Sequence, residues 1–295
     1  MKKPASLLGN KNKFLILGCG FSGSFFAKTI RKFGCTVLTS SRSARKDPNS
    51  FIFNSENGVV PDEKIFDGVS HILSCIPPDK NGKDPVLESL ESKLKSLSLE
   101  WIGYLSTTGV YGDTAGSWVN EASPLNPTNR RSISRAAAEK SWVDLHHNHD
   151  LPIHVFRLAG IYGSGRSSLD QIRAGRAQRI DKPGHKFSRI HAADIATVLR
   201  ASINAPNPGQ FYNVCDDEPA PQADVVAYAC DLLGAPVPAL VGFDKAAETM
   251  SPMARSFWRD NRLVDNSRIK DELAVDLAYP NYRAGLSAIY SAENN

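Results

Sequence analysis

The sequence predicts an α/β fold: a Rossmann-type, doubly wound parallel sheet with a small C-terminal substrate lobe. Three observations predict it. An apolar strand runs through a glycine turn into a helix at Phe14-Leu-Ile-Leu-Gly-Cys-Gly-Phe-Ser-Gly-Ser-Phe-Phe-Ala27. Short apolar runs then alternate with helical patterns along the chain, as parallel crossovers require. The run His71-Ile-Leu-Ser-Cys-Ile-Pro77 is apolar without alternation, which suits a parallel strand covered on both faces.

After the first strand and helix, Cys35-Thr-Val-Leu-Thr-Ser-Ser-Arg42 reads as a second strand and Ser50-Phe-Ile-Phe53 as a third. The run at 71–77 is the fourth and stops at Pro77-Pro78. Asp84-Pro85 opens a helix with Val86, Leu87, Leu90, Leu94 and Leu97 at helical spacing. Trp101-Ile-Gly-Tyr-Leu105 is the next strand, entering Ser106-Thr-Thr-Gly-Val-Tyr-Gly112. Residues 113–129 are rich in Gly, Ser, Asn and Pro and read as a loop, with Thr128 as the cap of a helix over about 129–147. His146, His147 and His149 at its end suit a solvated helix C-terminus better than a metal site, so no metal is expected. Strands follow at 152–158 and 210–215, with helices at 195–203 and 221–233. The region 245–295 reads as mainly helical with a break at Tyr279-Pro280. The expected division is a basic tail over 1–12, a dinucleotide-binding domain over 13–163 plus 185–215, and a substrate lobe over 164–184 plus 216–295.

The chain has 295 residues, 41% hydrophobic and 22% charged, a composition typical of soluble globular proteins. No apolar run approaches the roughly 20 residues that cross a bilayer, so no membrane partner is expected. A net charge of +4 gives no case for nucleic acid. Its distribution is more informative: no carboxylate precedes Asp47, whereas ten lysines and arginines do, including Arg42, Arg45 and Lys46. That bias suits an anionic cofactor. The basic start also fits a tail or the end of a targeting peptide, so the expected cytoplasmic location leaves a plastid or other organelle open. The five scattered cysteines, never in Cys-x-x-Cys, read as free thiols in a reducing compartment.

In the turn, Gly18 permits the sharp bend, Gly20 lets the backbone approach a pyrophosphate, and Gly23 lets the helix pack on the strand. The helix N-terminus, with Phe21 and Ser22, offers free N–H groups to the anion. An NAD site places a carboxylate about 20 residues further on, for the ribose hydroxyls. Here that place holds Ser41 and Arg42, followed by Arg45, so NADP is favoured over NAD. The competing reading is a solvated basic turn.

Together these landmarks resemble the extended short-chain dehydrogenase/reductase family, which contains UDP-sugar epimerases and dehydratases. The resemblance spans nearly the whole chain. It rests on Gly18-Cys-Gly-Phe-Ser-Gly23, Ser106-Thr-Thr-Gly-Val-Tyr-Gly112, Glu121-Ala-Ser-Pro124 with Pro127, Arg157-Leu-Ala-Gly-Ile-Tyr-Gly163, Arg189-Ile-His-Ala-Ala-Asp194 and Phe211-Tyr-Asn-Val214. It continues in Asn266-Ser-Arg-Ile-Lys270 and Tyr279-Pro-Asn-Tyr-Arg-Ala-Gly285. The resemblance implies a hydroxyl at the end of the fifth strand, at Thr107, and a Tyr-x-x-x-Lys pair on the next helix. Those two positions fall on Arg131 and Arg135. A guanidinium stays protonated at neutral pH and cannot replace a phenol as acid or base. The chain therefore resembles atypical members lacking that pair.

Two functional readings follow. One is an NADP-dependent oxidoreductase or epimerase/dehydratase acting on a small carbonyl, hydroxyl or sugar-nucleotide substrate through a rearranged proton relay. Thr107 would orient the substrate, and Tyr111 or Tyr162 would supply the acid, with His191 a further candidate; the competing reading has both tyrosines simply packing at strand ends. The other is a non-catalytic NADP-binding regulator or sensor. In either case Arg131 and Arg135, spaced i and i+4, form an anion clamp or are salt-bridged to Glu121 or Glu139. The expected partner is a small, anionic molecule, and the expected state is a monomer or homodimer.

Overall fold

A computed structural model describes residues 8–294. The first elements are β1 (Lys13–Leu17), α1 (Phe21–Arg31), β2 (Thr36–Ser41), β3 (Ser50–Ile52), β4 (His71–Ser74), α2 (Pro85–Ser96) and β5 (Trp101–Thr107). Seven strands form one sheet in the order Phe211–Val214, Ile153–Leu158, β5, β4, β1, β2, β3. Every pairing in it is parallel. From β1 the chain moves outward through β2 and β3, then returns to add β4 on the other side of β1. The strand order reverses there, and in open α/β sheets that reversal opens a crevice at the strands' C-terminal ends. The glycine turn leaves β1 at this point.

The non-alternating strands are explained by two apolar layers. Phe14 and Ile16 of β1 join a cluster with Phe26, Trp101, Phe156, Ile195 and Leu199. Leu15 and Leu17 face the other way, among Ile72, Val86, Leu90, Trp142 and Ile153. The capping of α2 ties it to the following helix: Asp84 accepts from the N–H groups of Val86 (2.9 Å) and Leu87 (3.1 Å) and from Trp142 Nε1 (3.0 Å).

That following helix, α3, spans Arg130–His149. It starts one residue later than the sequence suggests, because Asn129 is its cap, accepting from Ser132 N at 3.0 Å. Thr128 instead donates to Asp260 Oδ1 at 2.7 Å. At its far end His146 Nδ1 lies 2.9 Å from the Leu151 carbonyl, and no group of metal-binding side chains occurs among the described residues. Of the expected tail, residues 1–7 lie outside the described residues, whereas Leu8 and Asn12 are buried against the fold.

Beyond the sheet, smaller clusters stack Tyr162, Leu169, Val225, Tyr282 and Leu286, and Ile180, Ala246 and Trp258. Ile269, Leu273, Val275 and Leu277 return to the main core, so the last third of the chain is not wholly separate from the sheet. Among the described residues, no helix is long and apolar enough to cross a membrane.

Candidate functional site

Gly18 adopts φ +74°, and a Cβ there would stand 2.4 Å from Ile76 Cγ1. At Gly20 an added Cβ would meet nothing nearer than the Gly18 carbonyl at 3.9 Å, so this face of the turn is open. At Gly23 a Cβ would lie 3.3 Å from Cys75 Sγ and from Ile16 Cγ2, which is the close packing of α1 on the strand. The turn is held to β2, since Ser40 Oγ accepts from Gly18 N and the Ser40 carbonyl from Cys19 N, both at 2.8 Å. No side chain caps α1, and no acidic residue stands in its first turn. A cavity of about 180 Å³ opens here, lined by Gly18, Gly20, Phe21, Ser22, Gly23 and Arg166 among others. At the end of β2, Ser41 Oγ donates to the Ser43 carbonyl (2.6 Å) and Arg42 is exposed. Burial pushes the Cys19 thiol pKa up, while the nearby Arg45 charge acts to lower it. Asp47, the first carboxylate after β2, is paired with Arg31 at 2.9 Å.

A second cavity, of about 540 Å³, adjoins the first. Thr107, Arg131 and Arg135 line it together with Lys80, Arg130, Lys186 and Arg262. Its carboxylates are Asp79 and Asp260, and Asp260 lies 3.5 Å from Arg262. The cleft is thus strongly cationic. Thr107 is half-buried and accepts from Gly109 N at 3.1 Å, which leaves its own O–H proton available. Arg135 Nη1 donates to the Leu105 carbonyl (2.7 Å) and Tyr104 Oη (3.1 Å). Arg131 Nη2 donates to Ser256 Oγ at 2.9 Å, with its guanidinium 5.4 Å from the Phe257 ring centroid. Arg135 and Leu158 line both cavities, so Arg135 stands where they meet.

Neither arginine is salt-bridged to Glu121 or Glu139, which corrects that expectation. Glu121 accepts from Asn213 N at 2.7 Å. Glu139 turns inward to Arg157 at 2.8 Å, and both side chains are at most 3% exposed. Ser106 completes this group by donating to Glu139. Nothing in the sequence pairs residues 139 and 157, which come from α3 and from the strand Ile153–Leu158.

Three expected acids also lie elsewhere. Tyr111 is 1% exposed and lines neither cavity; it donates to Asn213 Oδ1 (2.7 Å) and accepts from Arg157 Nη1 (2.9 Å). Burial pushes its pKa up, so it is a poor proton donor as well as a remote one. Tyr162 donates to the Asn281 carbonyl at 3.3 Å, and burial raises its pKa too. His191 is the N-cap of the helix Ala192–Asn204, accepting from Ala193 N at 3.2 Å, and burial lowers its pKa to about 4. The sequence locates these residues at strand ends, but it does not show which way each ring turns.

No family model matches the chain. A conserved protein of unknown function from Silicibacter pomeroyi, solved as a structure, is 44% identical, with 95% of this chain and 99% of that one aligned and a TM-score of 0.85. The two belong to one family. Protein YeeZ of Escherichia coli K12 is 27% identical over 290 residues, which is 91% of this chain and 96% of YeeZ. The dTDP-glucose 4,6-dehydratase of Bacillus anthracis, solved in complex with NAD, superposes with a TM-score of 0.74 at 18% identity, covering 96% and 97% of the two chains. The Rossmann-type fold of this chain is therefore shared with that dehydratase.

Proposed function

We propose that the chain is an oxidoreductase or epimerase/dehydratase-type enzyme that binds NADP(H) and acts on a small anionic substrate. The observation that carries this reading is Arg135, which lines both the glycine-turn cavity and the cationic cleft. Gly18, Gly20, Phe21, Ser22 and Gly23 would hold the pyrophosphate, and Ser41, Arg42 and Arg45 the 2′-phosphate. The open face at Gly20 and the uncapped start of α1 fit a diphosphate. The engagement of Asp47 by Arg31 leaves the end of β2 without a free carboxylate for a ribose, which supports NADP over the NAD of the Bacillus dehydratase.

When bound, the nicotinamide supplies hydride transfer; the chain supplies position and charge. Arg131 and Arg135 would hold a carboxylate or phosphate, and Arg135 keeps a fixed positive charge beside the junction of the cavities. Thr107 would donate its hydroxyl proton to a substrate oxygen. In this reading the lobe over 164–184 plus 216–295 closes the cleft through Lys186 from its border and Ser256, Phe257 and Arg262. The sensor reading keeps one specific support: among the described residues, no phenol, imidazole or thiol lines the larger cleft.

The test is NADPH oxidation with a panel of carbonyl compounds carrying a carboxylate or a phosphate. A substrate should emerge whose kcat/KM falls by at least about tenfold in Arg135→Gln and in Arg131→Ala, as loss of a charge-assisted contact requires. NADPH affinity should be retained in Arg131→Ala. Binding of NADPH with no turnover across the panel would select the sensor reading, and unchanged kcat/KM in both variants would remove the clamp.

A further inference from the structure

The strand Gly160–Tyr162 ends in a tight turn far from α1 in sequence. Gly163 N donates to the Arg166 carbonyl (3.1 Å) and Arg166 N to the Gly163 carbonyl (2.9 Å), with Gly165 at φ +78° between them. This turn docks on the first residue of α1. A Cβ on Gly163 would stand 3.2 Å from Phe21 Cζ, tighter than ordinary van der Waals contact, so the glycine allows this close approach. The contact delivers the Arg166 guanidinium to 5.5 Å from the Phe21 ring centroid, at the rim of the glycine-turn cavity. Arg166 is exposed, and no carboxylate partners it among the described residues.

A pyrophosphate carries two negative charges, whereas a helix N-terminus offers the equivalent of roughly half a positive charge. The turn itself contains no cation, since Gly18-Cys-Gly-Phe-Ser-Gly23 is uncharged. Arg166 is a cation lining that cavity alongside Arg135, and it comes from the turn that follows the strand Gly160–Tyr162. We propose that Arg166 is a pyrophosphate-binding residue, with the Phe21 ring as its platform. A planar guanidinium suits this role because it presents paired N–H donors to phosphate oxygens while its face rests on an aromatic ring. The proposal rests on the dinucleotide reading of the glycine turn.

The experiment is calorimetric titration of the full chain and its Arg166→Ala and Arg166→Lys variants with NADPH, ADP-ribose and adenosine 2′-monophosphate. The third ligand shares the adenosine and the 2′-phosphate but lacks the pyrophosphate. In Arg166→Ala, affinity for NADPH and ADP-ribose should fall by about tenfold or more, the scale of one charge-assisted phosphate contact. Affinity for adenosine 2′-monophosphate should stay unchanged, and Arg166→Lys should recover part of the loss. Equal losses for all three ligands would assign Arg166 to the adenosine end or to the shape of the turn, overturning the proposal. Unchanged NADPH affinity would also overturn it while leaving the dinucleotide reading intact. A wild-type chain that binds neither NADPH nor ADP-ribose would overturn that reading and this proposal together.

Discussion

Gly20→Val should lose dinucleotide binding while keeping the fold. The two properties separate at this position because of where the new side chain would go. A Cβ on Gly20 meets no protein atom closer than 3.9 Å, so the folded chain has room for it. The residue is the cap of α1 and makes no side-chain hydrogen bond there, so replacing it should cost at most about 1 kcal/mol of stability. The room it takes is the open face of the turn, where a pyrophosphate would press against the backbone. NADPH affinity should therefore fall by about a hundredfold or more, equivalent to about 2.7 kcal/mol. Gly18→Val is the contrast. With φ +74° and Ile76 Cγ1 2.4 Å from the new Cβ, it should lose stability as well as binding. Urea unfolding run beside ligand titration distinguishes the two, and a Gly20→Val protein that binds NADPH normally would show that the turn is only structural.

Arg157→Met is expected to be the most destabilising change near the site, by about 3–5 kcal/mol, because it leaves Glu139 charged and buried without its partner. The same guanidinium bonds both Glu139 oxygens. Two further contacts depend on it, since it donates to Tyr111 and lies 4.5 Å from the Phe211 ring centroid. The pair spans α3 and the strand Ile153–Leu158, so breaking it loosens the helix that carries Arg131 and Arg135. Replacing both partners, Arg157→Met with Glu139→Leu, should recover much of the loss, since well-packed apolar groups can substitute for a buried ion pair. The shift in urea midpoint measures both. A loss below about 1 kcal/mol in the single variant would place the pair in water rather than in the core.

Most of the fold was legible because it is written in local pattern. The glycine turn, the unbroken apolar run of β4 and the Asp84-Pro85 helix start each act through neighbouring residues, and each lies where the pattern puts it. The site was less legible because burial and pairing act across the chain. Glu139 lies four residues after Arg135, a spacing that suggests a helix-surface salt bridge, yet it points into the core towards Arg157. The aromatic strand ends around Tyr111 and Tyr162 look like catalytic positions, but only packing decides which rings face the cleft. Tyr111 faces Asn213. Arg166 belongs by sequence to the stretch 164–184 assigned to the substrate lobe, yet it reaches the glycine turn because Gly163 lets its loop settle on Phe21.

In the proposed function the turn from Gly18 to Gly23 holds a dinucleotide whose 2′-phosphate is met by the basic end of β2. Calorimetric titration of the wild-type chain with NADPH and with NADH should give one site per chain and tighter binding of NADPH. Equal affinities would contradict the assignment of Arg42 and Arg45, and no binding of either ligand would contradict dinucleotide binding at the turn.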